Sequence, residues 1–360
     1  MTTSDALVSV ADFRSDTVTA PTPAMREAMA QAKVGDDVFD EDPTVHELQA
    51  LGAERLGQEA ALFLPSGTMA NVVAIALQAR RGDEVLLEEA SHPYLFEGGG
   101  TAWIVGAQPR PIPSDRGRIS PETVLEYIRP LNDHFPRTTL LCVENSHNMH
   151  GGTVVPLTRM RELRTVCDEH GLKLHLDGAR LFNAAHAAGE PVKAFAEVAD
   201  TVSISLAKGL GGPVGSLLAG SRAAITEARR IRKVLGGGMR QAGVIAAAGL
   251  VALREGPTWL GEDHRRAHDF AAGIREIAEH FDIEERLEAA EPETNMVFVR
   301  LPYDEEAYTP IVEALAAQQV RVIALPGRGM RFVFHHQITD EHVRRALDAI
   351  RDAVAKNLRA

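Results

Sequence analysis

The chain has 360 residues, 45% of them hydrophobic and 24% charged, which is enough apolar material for a sizeable core and too little charge for wholesale disorder. Its formal charge, 38 − 50 = −12, argues against nucleic acid or an anionic membrane as the main partner and points to small molecules or other copies of the same chain. The start, MTTSDALVSV, lacks a basic segment followed by an apolar one, and no apolar run reaches the roughly 18 residues of a membrane span, so a cytoplasmic protein is expected.

In chain order, short apolar runs alternate with helical patterns from about residue 43 to 235. The runs are ALFLP (61–65), EVLLEE (84–89), TLLCVE (139–144), KLHLD (173–177), TVSISL (201–206) and VGSLLAG (214–220). They are rich in Val, Ile and Leu and alternate little with polar residues, as parallel strands buried on both faces do. Helical patterns at 43–57, 68–80, 156–170 and 221–234 separate them, so the order predicts an α/β fold with a mostly parallel, helix-covered sheet. Beyond residue 235 two helical patterns, 239–254 and 259–280, follow one another without a strand. A smaller α/β segment closes the chain: strand 296–300, helix 305–318, strands 319–323 and 330–335, and helix 340–356. This divides the chain into an N-terminal arm (1–20), a large domain (21–255) and a small C-terminal domain (256–360). The two cysteines, Cys142 and Cys167, form no CxxC pair, and no metal site is expected.

Chemistry-bearing residues follow three of the apolar runs. In LPSGTMAN (64–71) a strand passes into a helix, and the backbone N–H groups of Gly67, Thr68 and Met69 would face an anion such as phosphate; a plain helix start capped by Ser66 is the competing reading. In LKLHLDGAR (172–180) Asp177 ends a strand where α/β sheets bind ligands, with Arg180 next to it; the competing reading makes Asp177 a helix cap and Arg180 its surface partner. In TVSISLAKGLGGPVGSLLAG (201–220) Lys208 sits in a glycine turn between apolar segments, where partial burial favours the neutral amine that forms a Schiff base. Lysine occurs at only six positions, so such an amine has few rivals. A phosphate anchor, a strand-end aspartate and an imine-forming lysine, in this order, are the set that pyridoxal 5'-phosphate requires.

With these motifs in place, the sequence resembles the low-specificity L-threonine aldolases of the β-eliminating lyase group, pyridoxal-phosphate enzymes of the aspartate-aminotransferase fold type (fold type I). FRSDTVTAPTPAM (13–25), GDDVFDEDPTV (35–45), PSGTMAN (65–71), SHPYLFEGGG (91–100), ENSHN (144–148), HLDGARLFNA (175–184), AKGLGGPVGSLL (207–218) and LGGGMRQAG (235–243) carry the resemblance over nearly the whole chain. It implies that Lys208 holds the cofactor, that Asp177 pairs with the ring nitrogen, and that Gly67 and Thr68 bind the phosphate. It further implies that His92 stacks on the ring, that His147 lies near the substrate hydroxyl, and that Arg180, Arg331 and Ser15 receive the substrate carboxylate. Arg240 is assigned to the phosphate or to a neighbouring subunit's site, with a structural helix-start role as the alternative, and the family's assembly implies a homodimer or homotetramer. Two departures stand out: Asp40, after Phe39, occupies a place where many members have glycine, and Arg328 lies close enough to Arg331 to compete for its role.

The activity implied is cleavage of a β-hydroxy-α-amino acid to glycine and an aldehyde, with His92, His147 or water as the hydroxyl base. The alternatives are β-elimination or racemisation of another amino acid on the same scaffold, a nicotinamide oxidoreductase, which the lack of GxGxxG after the first strand disfavours, and a silent amino-acid-binding protein, which the intact lysine, aspartate and arginine set disfavours.

Overall fold

The computed structural model of the chain describes residues 10–300, 308–325 and 327–357. It contains two compact units, Ala20–Pro257 and Met1–Thr19 with Thr258–Ala360.

The first unit is built on strands β1 (Ala60–Leu64), β2 (Glu84–Glu88), β3 (Gln108–Ile112), β4 (Thr138–Glu144), β5 (Lys173–Asp177), β6 (Thr201–Ser205) and β7 (Ser216–Gly220). They form one seven-stranded sheet in the order β1-β7-β6-β5-β4-β2-β3. Strand β7 is antiparallel to both its neighbours, and every other neighbouring pair is parallel. The six strands expected from apolar runs are all present, because a strand covered on both faces has to be apolar along most of its length. The seventh, β3, reads QPRPI and has no apolar pattern. It lies at the sheet edge, where Pro109 and Pro111 are tolerated because one side of the strand needs no ladder donors.

The covering helices are α1 (Pro23–Ala30), α2 (Pro43–Leu56), α3 (Gly67–Gln78), α4 (Leu157–His170), α5 (Leu181–Ala188), α6 (Arg222–Val234) and α7 (Gly243–Glu255). Their ends follow local sequence chemistry. Asp42 caps α2 by accepting from Thr44 N and Val45 N, and Gly57 closes it in the left-handed conformation. Strands β5 and β6 set polar side chains in register on one face: His175 stands opposite Thr201 and Asp177 opposite Ser203. The intervening Leu174, Leu176 and Val202 point to the other face and are fully buried.

The second unit has a four-stranded sheet of β8 (Glu288–Ala289), β9 (Met296–Arg300), β10 (Ile323–Leu325) and β11 (Gly329–Val333), ordered β10-β11-β9-β8, with helices α8 (Leu260–Phe281), α9 (Thr309–Ala317) and α10 (Asp340–Asn357). The expected helix 305–318 is described from residue 309 onward; its first residues lie outside the described ones. The expected strand 319–323 is split. Val320–Arg321 pairs in parallel with Ala11–Asp12, whereas Ile323–Leu325 pairs with β11. Phe13, Phe270, Phe332 and Phe334 meet in the core of this unit, with Phe13 and Phe334 edge to face at 5.2 Å. Each such burial contributes roughly 1.5–3 kcal/mol. No helix among the described residues is long and apolar enough to cross a membrane.

Candidate active site

Six strands of the main sheet run one way, so their carboxyl ends share an edge. Gly67 and Thr68 follow β1, His92 follows β2, His147 follows β4, Asp177 and Arg180 lie at and after the end of β5, and Lys208 follows β6. Open α/β sheets bind ligands at this edge.

At the start of α3, Ser66 is an N-cap whose Oγ accepts from Met69 N at 3.2 Å. The N–H groups of Gly67 and Thr68 have no partner among the described residues. The capped start and the anion site are thus compatible, since the cap serves the third N–H and leaves the first two. A Cβ on Gly67 would stand 3.5 Å from the Ser216 hydroxyl, which is buried without a hydrogen-bond partner.

Asp177 is buried, and each of its carboxylate oxygens accepts one hydrogen bond: Oδ2 from Asn71 Nδ2 at 2.8 Å, Oδ1 from Ala179 N at 3.1 Å. Asn71 lies in the second turn of α3, so the same helix whose start offers N–H groups also holds the aspartate. His92 bonds through Nδ1 to Glu97 Oε1 at 2.8 Å, and its backbone N–H donates to Glu144 Oε2 at 2.7 Å. Burial pulls the His92 pKa down, but the Glu97 hydrogen bond and the charge of Asp177 outweigh burial and the opposing charge of Lys208, so the net direction is upward. Asp177 and Lys208 are thus both within electrostatic reach of His92. Burial, together with the charge of Asp177, pushes Glu97 up as well. Lys208 is half-buried in a turn closed by Gly211 N donating to its carbonyl at 2.7 Å. Arg180 is buried, with Nη1 3.4 Å from Asn148 Oδ1.

His147 is differently engaged. Its ring is fully buried, with Nε2 2.9 Å from Glu88 Oε2, and His150 Nε2 reaches Glu88 Oε1 at 3.1 Å. Ser114 Oγ and Ala90 N also donate to this carboxylate. Burial would raise Glu88, but these partners, the two histidines foremost, hold it well below the usual carboxylate range. Gly117, at φ +85°, lies so close that a Cβ there would meet His147 Cγ and Cδ2 at 2.7 Å; only glycine fits. One ligand atom each of Glu88, His147 and His150 lies within 4.8 Å of the others, a spacing open to a metal ion, and both histidines hydrogen-bond to the carboxylate through Nε2.

Arg240 pairs with Asp36 at 2.8 Å and lies over the Phe39 ring at 5.7 Å, more than half exposed. Asp40 has φ 64°, in the left-handed region that glycine adopts freely and aspartate tolerates, and its carboxylate pairs with His46 and Arg229. In the second unit, Ser15 caps the turn Asp16–Val18 through Thr17 N, and Arg331 Nη2 donates to the carbonyl of neighbouring Arg14 at 3.1 Å. Arg331 thus lies next to the segment that carries Ser15.

Asn71, Glu88, Glu97 and Glu144 join the site only through the tertiary structure. Asn71 is a buried polar residue inside an otherwise apolar helix, and Glu97 is a carboxylate at the head of a glycine run. Both signals were legible.

A family model described as beta-eliminating lyase matches residues 12–302 of the chain. The low specificity L-threonine aldolase of Escherichia coli (strain K12) is 44% identical over 333 residues, covering 92% of this chain and 96% of that protein. A probable low-specificity L-threonine aldolase 2 of Arabidopsis thaliana is 42% identical over 342 residues, covering 93% and 95%. A solved Leishmania major threonine aldolase matches with a TM-score of 0.79 at 20% identity, over 96% of this chain and 99% of that one, which shows a common fold.

Proposed function

The chain belongs to the β-eliminating lyase family, and from that premise we propose that it is a pyridoxal-phosphate-dependent aldehyde-lyase that cleaves L-threonine, L-allo-threonine and related β-hydroxy-α-amino acids to glycine and an aldehyde. The observation that carries this reading is the convergence of the buried Asp177 carboxylate, the half-buried Lys208 amine and the open N–H groups of Gly67 and Thr68 on one sheet edge, coupled through His92. That donor set fits the cofactor: an anion-binding helix start for phosphate, a carboxylate for a ring nitrogen and an amine for the carbonyl carbon. When bound, the cofactor supplies an electron-accepting ring for the charge left at Cα once the Cα–Cβ bond breaks.

The protein's own residues do the rest. Asp177, kept in place by Asn71 and Ala179, offers an anion that stabilises a protonated ring nitrogen. Arg180 presents a buried guanidinium suited to a carboxylate. Between the two histidines the geometry favours His92 as the base for the β-hydroxyl proton. Its Nδ1 faces Glu97 and so carries the hydrogen, which leaves Nε2 as the acceptor, whereas His147 is turned to Glu88 in a fully buried pocket. A well-placed base of this kind is worth roughly 10²–10⁴ in rate.

We also infer self-association in the cytoplasm. Leu95, Phe96, Trp103 and Ile104 are exposed hydrophobic side chains between β2 and β3, with Trp103 84% exposed, and a second copy of the chain would cover them. The buried free thiols of Cys142 and Cys167 accord with a reducing compartment.

The deciding experiment is incubation with L-threonine, L-allo-threonine and L-phenylserine, with glycine and aldehyde quantified for each. Equimolar glycine and aldehyde is the expected result. Ammonia with a keto acid would instead assign β-elimination, and an exchanged Cα configuration without cleavage would assign racemisation.

A further inference from the structure

At the end of β5 a chain of hydrogen bonds, buried except at Gln78, is centred on an amide. Asn71 Nδ2 donates to both Glu97 Oε1 at 2.7 Å and Asp177 Oδ2 at 2.8 Å. Its Oδ1 lies 2.9 Å from Ser203 Oγ and 3.1 Å from His175 Nε2. His175 Nδ1 in turn lies 2.8 Å from Thr201 Oγ1, which accepts from Gln78 Nε2 at 2.8 Å.

The orientation of the amide follows from its neighbours. Two carboxylates can only be served by N–H, and the hydroxyl and imidazole N–H can only be served by the carbonyl oxygen, so the four hydrogen bonds an asparagine can make are all made. His175 is completely enclosed, and burial drives its pKa down to about 4, so it is neutral. Its Nδ1 lies 2.8 Å from the Thr201 hydroxyl and 3.2 Å from the Thr201 carbonyl; with Nε2 donating to Asn71 Oδ1, the shorter contact is the one in which the hydroxyl donates to Nδ1. The Asn71 amide is thereby held in one sense, its nitrogen toward the two carboxylates and its oxygen toward Ser203 and His175.

Glu97 and Asp177 have donor atoms within 4.8 Å of one another and of His92, and two buried carboxylates so close would otherwise share one proton. We propose that Asn71 is the positioning residue of this site: by giving each carboxylate its own N–H, it keeps Asp177 available to the cofactor ring and Glu97 available to His92. The proposal rests on the reading that Asp177 serves the ring, and it deepens that reading by assigning what holds the charges apart. Asparagine does this where aspartate or leucine would not, because it alone among residues of that size offers two donors to the carboxylates and one acceptor to Ser203 and His175.

The test compares Asn71→Leu and the smaller Asn71→Ser with the full-length parent, following the His92 ring by NMR in cofactor-free protein and measuring affinity for pyridoxal phosphate directly. The charged groups that act on the His92 ring are Glu97, Asp177 and Lys208, and Glu97 hydrogen-bonds to its Nδ1. Without an amide donor Glu97 retains its proton and no longer supports the imidazolium. The expected result is a His92 titration midpoint at least one pH unit lower and a Kd for pyridoxal phosphate at least tenfold higher. If the leucine variant does not fold, the serine variant gives the same reading. A folded variant with an unchanged His92 midpoint and unchanged affinity overturns the proposal, even if its turnover is reduced. Both readouts are independent of the reaction catalysed, so failure to cleave hydroxy amino acids would sink the function reading alone.

Discussion

His92 Nδ1 and Glu97 Oε1 stand 2.8 Å apart, five residues apart in sequence, and this pair decides which ring nitrogen of the histidine is left for a substrate. Glu97→Gln removes the charge that supports the imidazolium, so the His92 midpoint falls. The acid limb of kcat/KM then moves to lower pH, by about one unit or more, and a profile superimposable on the parent's would refute the assigned base. The sign also shows in stability. His92 is raised in the folded protein, so its contribution is present in full below about pH 6.5 and is lost as pH rises through the raised value. Glu97→Gln should therefore cost more stability at pH 6 than at pH 9 in denaturant melts.

Lys208→Ala is expected to abolish turnover together with the near-visible absorption that the lysine-linked cofactor gives. Asp177→Asn should retain bound cofactor and lose roughly 10²-fold or more in kcat, because the charge facing the ring nitrogen is gone. Near-normal kcat in the asparagine variant would remove Asp177 from its role, and a surviving absorption band in the alanine variant would show that another lysine carries the cofactor.

Glu88 accepts from His147, His150, Ser114 and Ala90 in a fully buried position. Glu88→Ala should destabilise the protein by about 3 kcal/mol at pH 7, because it strands buried partners. His150→Ala should cost about 1 kcal/mol, since that ring is partly solvated. Glu88 is depressed in the folded state, so its stabilisation is present above the ordinary value of 4.5 and is lost as pH falls below it. The gap between parent and Glu88→Ala should narrow at pH 3–4, and a constant gap in urea titrations would contradict this account.

Asp263, in the second unit, is fully buried with neither carboxylate oxygen hydrogen-bonded, and burial, aided by the nearby Asp16 charge, raises it to about 8. A raised carboxyl contributes its stability below the ordinary 3.8 and loses it as pH climbs through the folded value. At pH 7 the shortfall has an upper bound of about 4 kcal/mol, from about 3.2 units at 1.36 kcal/mol each. Asp263→Asn, neutral at every pH, should gain stability relative to the parent between pH 4 and 8. Parallel stability curves for the two proteins would be inconsistent with a buried, protonated Asp263.

The sequence by itself determined six of the seven strands of the main sheet and the chemistry-bearing residues that follow them. Strands covered on both faces must be apolar throughout, so β1, β2, β4, β5, β6 and β7 announced themselves, and Asp177 and Lys208 were visible as the polar residues that end such runs. Edge strand β3 was silent, because half its backbone needs no partner and prolines are permitted there. Tertiary structure alone decided the partnerships: Asn71 meets Asp177 across 106 residues and Glu88 meets His147 across 59. Alternation along a strand tells which side chains share a face, as with His175 and Asp177 or Thr201 and Ser203. Which strand lies beside which, and which helix crosses above them, follows from packing the whole sheet, and that packing turned one polar residue in an apolar helix into the point where two carboxylates, a hydroxyl and an imidazole meet.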